Sequence, residues 1–423
     1  MFKSGGVINF IFSLFGKRKK QKIKNSEPKI YDVEKLPRDL VVSLPKKNKL
    51  TKSRKANKKI PKKAVSKNKT KAVKKVVTEP AESIIKYPSQ LNRYEHNPII
   101  EPKEDNVWES KATFNPAALA YDGKVHLIYR AIGDNDESVL GYAISHDGIH
   151  IHRRSSIPAF FQKKEERKSI ANCQVTYSSG GGWSGGCEDP RLTLLENDVH
   201  LIYTAFDGWG SIRIALSSIG LEKFLNEEWD WSKPVFISPP DQINKNWLLF
   251  PEKIKGKLAI LHSISPNILI DYVDSLDQFD GSNFIQSHHN KGKRDSKVWD
   301  NWIRGAGPPP IKTKYGWLLF YHAMDQRDPN RYKLGVMILD LKDPTKVLYR
   351  SQKPILEPDE IYENQGFKWG VIYSCGAVIM GKTLFVYYGG ADRVVCVAAT
   401  NLDKFLKQLI KKGESKLKWT TKK

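Results

Sequence analysis

Five short apolar strands recur along the chain and constrain its fold more than any other feature. They begin at Lys124, Asp198, Lys257, Gly316 and Thr383 and read KVHLIYRA, DVHLIYTA, KLAILHS, GWLLFYHA and TLFVYYGG. Each follows a turn or polar segment, and successive copies start about 60–75 residues apart. One strong strand per unit at this period is typical of propeller blades. The sequence therefore predicts an all-β fold, a five-bladed β-propeller over residues 96–423.

The ends of these strands are the first place to look for a functional site, because equivalent strands of a propeller deliver their last residues to one central region. We expect convergence of the residues that end the five strands, namely Arg130, Thr204, His262, His322 and Tyr388. A two-sheet β-sandwich is the alternative fold, although about 330 residues is long for one.

The positive charge of the chain is concentrated at its N-terminus. The whole chain has 70 Lys and Arg against 46 Asp and Glu, and residues 1–95 hold 27 and 7 of these. Pro45–Lys75 is nearly a lysine polymer, which cannot bury enough apolar surface to fold, so we predict a disordered tail over residues 1–95. Residues 96–423 are close to neutral, which argues against a specific nucleic-acid partner.

The N-terminal segment gives no sign of a membrane span or a signal peptide. Gly5–Gly16 (GGVINFIFSLFG) is apolar but shorter than the ~18–20 residues that cross a bilayer. The basic run Lys17–Lys20 follows it, whereas a signal peptide has its basic residues first. We predict a cytoplasmic protein whose tail is either solvated or in weak contact with an anionic membrane surface. A homo-oligomer is compatible with the sequence.

The cysteines indicate neither a disulfide framework nor a metal site. They are Cys173, Cys187, Cys375 and Cys396. No two of them form a CxxC pair, and no histidine cluster has zinc spacing. We therefore expect reduced thiols, no metal and no cofactor.

The most informative motif is GGCEDPR, Gly185–Arg191, just ahead of the second recurring strand. It combines two acids with a proline that fixes the backbone and glycines that let a ligand approach closely. A carboxylic acid in such a loop can serve as a general acid if burial raises its pKa. The alternative is a surface turn with a local Asp–Arg ion pair.

Four other segments occupy comparable places relative to their strands, and loops on a rigid scaffold commonly carry function. They are FNP, FPEK, RGAGPPPIKT and YYGGAD. Together these segments offer one good candidate for a general acid, Asp189, surrounded by cations and sugar-binding polar groups, namely Asn115, Arg130, Arg191, Lys253, His322 and Asp392. Tryptophans that could stack on sugar rings, or simply pack in the core, are Trp183, Trp209, Trp302 and Trp369.

Six segments within residues 113–400 resemble, in order, glycoside hydrolase family 130. They read NPAALAYDGKVHLIYRA, GCEDPRLTLLENDVHLIYTAFDG, FPEKIKGKLAILH, GAGPPPIKTKYGWLLFYHA, KPILEPDEIYENQGF and CGAVIMGKTLFVYYGGAD. The resemblance implies a five-bladed propeller and an inverting phosphorylase. Such an enzyme cleaves a β-mannoside with inorganic phosphate as co-substrate and releases α-mannose 1-phosphate. An inverting β-mannoside hydrolase and a noncatalytic glycan-binding propeller are the alternatives.

The resemblance also implies roles for individual residues. Asp189 of EDPR is the general acid, and its proton reaches the glycosidic oxygen through the 3-hydroxyl of the sugar. The substrate-binding residues are Asn115, Arg130, Asp392 and Glu188, and the phosphate-binding residues are Lys253, His322, Arg191 and Arg304. Hydrolysis would need a second carboxylate, about 6.5–9.5 Å from the acid, to activate water. Glu252 and Glu363 are the residues we consider for that role.

Overall fold

The computed structural model describes residues 91–162, 185–206, 212–240, 242–286 and 297–412, and these are mostly β-structure. They form twenty strands and three short α-helices, which confirms the predicted all-β class. Within these ranges, no helix has the length and apolar character needed to cross a membrane. The predictions for the apolar segment Gly5–Gly16, for the lysine-rich tail up to residue 90, and for Cys173, Trp183 and Trp209 lie outside the described residues.

The strands form antiparallel units in chain order, of which the first two share one sheet. The first unit comprises β2 (Ala112–Tyr121), β3 (Lys124–Ile132), β4 (Ser138–Ser145) and β5 (Arg153–Arg154). The second comprises β6 (Gly186–Leu195), β7 (Asp198–Phe206), β8 (Ile212–Gly220) and β9 (Val235–Phe236), with helix α1 (Leu221–Leu225) after β8. A single parallel bridge between Ser138 and Gly186 joins the two units.

Three further units follow, each a separate sheet. The third comprises β10 (Leu248–Leu249), β11 (Leu258–Ser263) and β12 (Leu269–Val273), with a 3₁₀ turn at Leu276–Gln278. The fourth comprises β13 (Trp302–Ala306), β14 (Ile311–Thr313), β15 (Gly316–Asp325), β16 (Asp328–Leu339) and β17 (Val347–Arg350). The fifth comprises β18 (Ile372–Met380), β19 (Thr383–Gly390) and β20 (Val394–Asn401), flanked by α2 (Ile361–Asn364) and α3 (Leu402–Lys412).

The five recurring strands of the sequence are β3, β7, β11, β15 and β19. Each pairs with an antiparallel neighbour on both sides within its unit. Eight successive residues of β3, from Val125 to Ile132, are buried without the alternation of a half-exposed strand. These strands are mainly apolar because other units cover both of their faces.

The apolar core is divided into clusters that lie between consecutive units. One joins Ile128 of the first unit to Leu201 of the second. Further clusters pack the second unit on the third, the third on the fourth and the fourth on the fifth. Another joins Leu127 of the first unit to Val397 of the fifth, so the succession of packed units closes on itself.

The N-terminal strand β1 (Asn92–Arg93) belongs to the fifth unit. It pairs antiparallel with β20, Asn92 opposite Ala399. The Arg93 guanidinium donates to both carboxylate oxygens of Glu363, at 2.7 and 3.0 Å. The predicted tail boundary after residue 95 is therefore too late, because residues that we assigned to the tail complete a sheet.

Candidate active site

A cavity of about 280 Å³ is lined by side chains from all five units or from the segments that lead into them. The residues that line it are Asn115, Arg130, Asp189, Ile243, Lys245, Asn246, Arg304, Tyr332, Lys368, Val371, Tyr373 and Asp392. Of the predicted site residues, the structure thus brings Asn115, Arg130, Asp189, Arg304 and Asp392 to one place. It does not bring Lys253, His322, Arg191 or Glu188 to the cavity wall.

Four of the lining residues have a left-handed backbone although none is glycine. The φ angle is 48° at Asn115, 50° at Asp189, 65° at Asn246 and 52° at Asp392. Such conformations cost about 1–3 kcal/mol each and are concentrated at functional sites. The strand register shifts at Asn115 and at Asp189, and a proline, which lacks an N–H for the ladder, follows each of them.

The acid side of the cavity, defined here as the wall residues Asn115, Arg130 and Asp189 together with Glu188, which is buried behind the wall, is held by its own hydrogen bonds. Asn115 Nδ2 donates to Asp189 Oδ1 at 2.8 Å. Arg130 donates to Glu188 Oε1 at 2.9 Å, to Asp189 Oδ1 at 3.4 Å and to Ser138 Oγ at 2.9 Å. All four side chains of the acid side are buried, so their geometry is fixed before any ligand arrives.

The electrostatics of Asp189 differ from the expectation of a raised pKa. Burial alone would raise the pKa of this carboxyl, but the positive charges of Arg130, Lys245 and Arg191 outweigh burial and hold the pKa below its ordinary value. Asp189 is therefore ionised near neutral pH in the unliganded protein.

Asp392 shows the opposite shift in the same cavity. Burial raises its pKa to about 6, although Lys368 and Arg130 partly offset the effect. The negative charges of Asp189 and Glu188 add to the increase. The cavity thus holds two carboxyls whose environments move their pKa values in opposite directions, a pattern common in active sites.

The cation side of the cavity, defined here as Lys245, Arg304 and Lys368, comes from the third, fourth and fifth units. Lys245 Nζ lies 3.1 Å from Glu188 Oε2 and so adjoins the acid side. The Arg304 guanidinium carbon lies 4.7 Å from the centre of the Trp302 ring. The Lys368 backbone N–H donates to the Ala391 carbonyl at 3.0 Å. Three cations around one small cavity suit a multiply charged anion such as phosphate.

Arg191, expected to help bind phosphate, is instead directed into the protein. It is buried, and Nη1 donates to the Asp189 carbonyl at 2.7 Å. Its other donors reach the carbonyls of Gly307 and Ala306, both at 3.2 Å, and Asn246 Oδ1 at 3.1 Å. Arg191 therefore fixes the strained backbone at Asp189 and lies outside the cavity wall.

His322 is buried behind the cavity and is not a cation. Its ring stacks on that of Tyr373 with centroids 4.1 Å apart, and Nε2 accepts the Ser374 backbone N–H at 2.9 Å. Burial, with help from the charge of Arg191, lowers the pKa of His322 to about 3. The imidazole is therefore neutral, with its proton on Nδ1, and any contact with phosphate would be a hydrogen bond without charge.

Lys253 and the two carboxylates considered for water activation are absent from the cavity wall. Lys253 is half-exposed and its Nζ lies 3.1 Å from Glu196 Oε1. Glu252 is half-exposed and forms an ion pair with Lys312. Glu363 is fully buried, and its two oxygens accept from Arg93, from Tyr388 and from two backbone N–H groups. The structure therefore contradicts a place for Lys253, Glu252 or Glu363 in this site.

The five residues that end the recurring strands do not converge as expected. Only Arg130 among them lines the cavity. His262 Nε2 lies 2.9 Å from Asp271 Oδ2, and Tyr388 donates to Glu363 Oε1 at 2.9 Å. Most residues that line the cavity lie near the start of the first strand of a unit. The recurring strands, whose ends we expected to form the site, are the second strands.

Sequence reasoning missed Lys245, Asn246, Lys368 and Tyr373. Asn246 lies ahead of a recurring strand, as Asn115 and Asp189 do. A candidate segment that began a few residues before FPEK would have included Asn246 and Lys245. Lys368 directly follows the segment KPILEPDEIYENQGF. Tyr373 gave no motif signal. Its hydroxyl donates to Asn246 Oδ1, which links the fifth unit to the third.

Comparison with known proteins supports the family that the sequence motifs indicate. A family model described as β-1,4-mannooligosaccharide phosphorylase matches residues 80–411. The chain belongs to glycoside hydrolase family 130. The predicted family and the predicted enzyme class are confirmed, and family 130 phosphorylases use phosphate as co-substrate.

Three family 130 relatives match over nearly all of their own length. A 1,2-β-oligomannan phosphorylase of Thermoanaerobacter sp. (strain X514) is 38% identical over 318 residues, covering 73% of this chain and 96% of the relative. A β-1,2-mannobiose phosphorylase of the same organism is 35% identical over 330 residues, covering 74% and 98%. The solved structure of β-1,2-mannobiose phosphorylase from Listeria innocua with β-1,2-mannobiose has a TM-score of 0.57 at 26% identity, covering 75% of this chain and 99% of that one.

Proposed function

We propose that the cavity is the active site of an inverting β-mannoside phosphorylase, with Asp189 as general acid and the cation side as the phosphate site. The composition of the wall carries this proposal, because Lys245, Arg304 and Lys368 share one cavity with Asp189. Phosphate is itself the nucleophile, so one protein acid suffices. Hydrolysis needs a second carboxylate as base, and both Glu252 and Glu363 are paired elsewhere.

Asp392 is the other carboxylate of the wall, and we assign it to the hydroxyls of the mannosyl ring. It interacts electrostatically with Lys368, and also with Arg130, Asp189 and Glu188, which supports a position between the two sides of the cavity and within reach of the acid. The nucleophile of an inverting reaction approaches from the opposite face of the sugar. We assign Asn115 and Arg130 to the same ring, since both contact Asp189 directly.

The proposed reaction exchanges one bond at the anomeric carbon for another. A phosphate oxygen attacks C1 of the mannosyl group and forms the new C–O bond. The glycosidic C–O bond breaks, and the leaving oxygen takes a proton that originates on Asp189 and passes through the 3-hydroxyl of the sugar. Inversion converts the β-mannoside into α-mannose 1-phosphate and frees the remaining sugar.

Asp189 must be protonated before it can act, and bound phosphate provides a physical reason for this. The pKa of Asp189 is low largely because of Arg130 and Lys245. A phosphate dianion beside Lys245 cancels part of that positive field, which raises the pKa of the carboxyl. Phosphate binding thereby couples arrival of the nucleophile to protonation of the acid.

The relatives favour a β-1,2 linkage for the substrate. Those at 38% and 35% identity are named for β-1,2-linked substrates, whereas the family model is named for β-1,4-linked ones. We propose β-1,2-mannosides as the substrates of this chain, with β-1,4-mannosides as the comparison in the assay.

We also propose that the five units are blades of a five-bladed β-propeller, preceded by a separate N-terminal tail. The clusters between successive units, including the one between the fifth and the first, support a closed ring. Strand β1 would close that ring by joining β20 from the other end of the domain. Removal of residues 1–90 should then leave the folded domain and its activity intact.

The test is a comparison of product formation by the full chain with and without phosphate. We would incubate it with β-1,2- and β-1,4-mannobiose and identify products by phosphorus and proton NMR. The expected result is α-mannose 1-phosphate, formed only with phosphate and faster from the β-1,2 substrate. Equal cleavage without phosphate would make the protein a hydrolase. Binding without product in either buffer would make it a glycan-binding module.

A further inference from the structure

Three of the five units contain the same trio of largely buried side chains, a tyrosine, an acid and an arginine. The tyrosine hydroxyl donates to the acid, and the arginine forms an ion pair with it. In the first unit the distances to Glu109 Oε2 are 2.7 Å from Tyr129 Oη and 2.6 Å from Arg154 Nη2. We call these trios anchor clusters. They are Tyr129, Glu109 and Arg154 in the first unit, Tyr321, Asp300 and Arg350 in the fourth, and Tyr388, Glu363 and Arg93 in the fifth.

The anchor clusters occupy equivalent places in their sheets. The tyrosine is the sixth residue of strand β3, β15 or β19, and the arginine belongs to the outermost strand, β5, β17 or β1. On the strand between them, the residue opposite the arginine lies two positions after the residue opposite the tyrosine. These pairs of residues are Gly141 and Ala143, Gly335 and Met337, and Cys396 and Ala398. The clusters are therefore a repeated feature of the architecture. In the fifth unit the arginine comes from the other end of the domain.

Each acid precedes a residue that lines the cavity by four to six positions. Because the tyrosine and the arginine hold the acid, it is a fixed point from which the chain continues to the wall. The acids and the wall residues that follow them are Glu109 and Asn115, Asp300 and Arg304, and Glu363 and Lys368. Two of these three wall residues, Arg304 and Lys368, are cations of the proposed phosphate site.

The connection between anchor and wall is most direct in the fifth unit. The Glu363 carbonyl accepts the Val371 N–H at 3.1 Å, which closes residues 363–371 into a loop. The Lys368 N–H donates to the Ala391 carbonyl, and the Ala391 N–H donates to the Val371 carbonyl, both at 3.0 Å. Lys368 and Val371 both line the cavity. A displacement of Glu363 would therefore move the part of the wall that carries Lys368.

Glu363 stays in place because its buried charge is compensated. Arg93 donates to its two carboxylate oxygens at 2.7 and 3.0 Å, and Tyr388 donates to Oε1 at 2.9 Å. Two backbone N–H groups donate to Oε2 at 2.8 and 3.0 Å. Arg93 supplies the positive charge of this group. Its loss would leave a buried carboxylate without a counter-charge, a state that costs far more than the intact pair contributes, so the acid would move towards water.

We propose that Arg93 is a positioning residue for the cation side of the cavity, because through Glu363 it holds the loop that presents Lys368 to phosphate. This inference rests on the proposed function and adds to it a residue outside the cavity wall on which phosphate binding depends. Strand β1 then has a second role besides completing the fifth sheet, since it delivers the guanidinium that fixes this loop.

The experiment measures initial rates of phosphorolysis of β-1,2-mannobiose by the full chain as a function of phosphate, at saturating mannobiose. Wild type is compared with Arg93→Met, Arg93→Lys, Glu363→Gln and the double variant Arg93→Met/Glu363→Gln. Two further measurements do not depend on turnover. They are the calorimetric affinity for inorganic phosphate and the rate of amide hydrogen exchange in residues 364–371, followed by mass spectrometry.

Arg154→Met is the matched control. The side chain of Arg154 is 12% exposed and that of Arg93 is 13% exposed, and the acids with which they pair are fully buried. The anchor cluster of Arg154 precedes Asn115 on the acid side, so this variant loses an equivalent ion pair without altering the loop of Lys368. An effect that arises from lost stability alone should appear in both variants.

Arg93→Met should raise the KM and the Kd for phosphate roughly tenfold, less than the hundredfold that a displacement of about 1 Å can cost, and kcat should stay within about twofold. Hydrogen exchange in residues 364–371 should become faster. Arg93→Lys keeps the charge but not the two parallel bonds, so it should raise KM only about threefold. In the Glu363→Gln background, Arg93→Met should add less than about twofold, because both changes act through one pair. Arg154→Met should leave the KM for phosphate and this exchange unchanged.

An unchanged KM for phosphate in Arg93→Met, or an equal increase in Arg154→Met, would overturn the inference while leaving the proposed function intact. If Arg93→Met does not fold, Arg93→Lys decides alone, and a wild-type KM in that variant rejects the positioning role. If wild type phosphorolyses no β-mannoside, the proposed function fails. Phosphate affinity and hydrogen exchange then decide the role of Arg93 by the same criteria, and a wild type that does not bind phosphate rejects both proposals.

Discussion

The two sides of the cavity are built differently. On the acid side, short or fully buried side chains bond to one another, and the backbone at Asn115 and Asp189 is held in a left-handed conformation. On the cation side, the long side chains of Lys245, Arg304 and Lys368 come from three units and lie beside exposed apolar residues. On the proposed function, the proton donor is thus fixed in advance, while the surface around the cations is open to phosphate. The proposed roles of proton donation and phosphate binding then fall on different parts of the wall.

The largest effect is expected on the acid side, from Asp189→Asn. The amide cannot donate the proton that the leaving oxygen needs, so we expect kcat to fall by about 10³–10⁴, near the upper end of general-acid contributions. Steady-state release of mannose 1-phosphate measures this, and the calorimetric affinity for a β-mannoside should be retained. Turnover close to wild type would remove Asp189 from the mechanism.

The next largest effect is expected on the cation side, where the same substitution is made at two lysines and the KM for phosphate is compared. Lys245→Met should raise the KM for phosphate by roughly 10–100-fold, because one charge-assisted contact contributes about 1.5–3 kcal/mol. Lys253→Met is the matched control and should leave KM unchanged, since Lys253 pairs with the exposed Glu196. The reverse result, with Lys253 important and Lys245 dispensable, would restore the assignment made from the sequence.

The two carboxyls of the wall should respond oppositely when neutralised. The pKa of Asp392 is raised, so the native state loses stability as pH rises from about 4 through about 6 and leaves a buried charge above that range. The free energy of unfolding of Asp392→Asn, measured by urea denaturation, should therefore exceed that of wild type by about 1–3 kcal/mol at pH 8. The two should differ little near pH 4. The pKa of Asp189 is lowered, so its ionised form stabilises the fold above the ordinary carboxyl range. Asp189→Asn should therefore be less stable than wild type at pH 8. Shifts of the same sign in both variants would contradict the opposed environments.

Features of the fold and of the site that have a local sequence pattern could be predicted, and features that depend on residues distant in sequence could not. Strands β3, β7, β11, β15 and β19 are apolar runs bounded by turns, and EDPR is a local motif whose bulge directs Asp189 inward, so both were found. Lys253 was assigned to the phosphate site because the sequence analysis did not consider at which end of strand β10 a residue lies. It lies near the turn at Lys255, whereas Lys245 lies eight residues earlier, up to about 26 Å away in extended chain. Lys368 was missed because its place depends on a backbone hydrogen bond to Ala391, which is distant in sequence. The direction of the Asp189 pKa shift depends on charges brought by three units and has no local signature.

The smallest effect is expected from Glu252→Gln, and it tests whether any carboxylate outside the cavity contributes to catalysis. Glu252 is half-exposed and paired with Lys312, so the change removes one surface ion pair, a contribution of about 0–1 kcal/mol to stability. Phosphorolysis should stay within about twofold of wild type, because the hydrogen-bonded network around Asp189 contains no group in contact with Glu252. The informative measurement is cleavage in phosphate-free buffer. If wild type shows such cleavage and Glu252→Gln abolishes it, water activation by Glu252 would be real. The division between a fixed acid side and a phosphate-binding cation side would then be wrong.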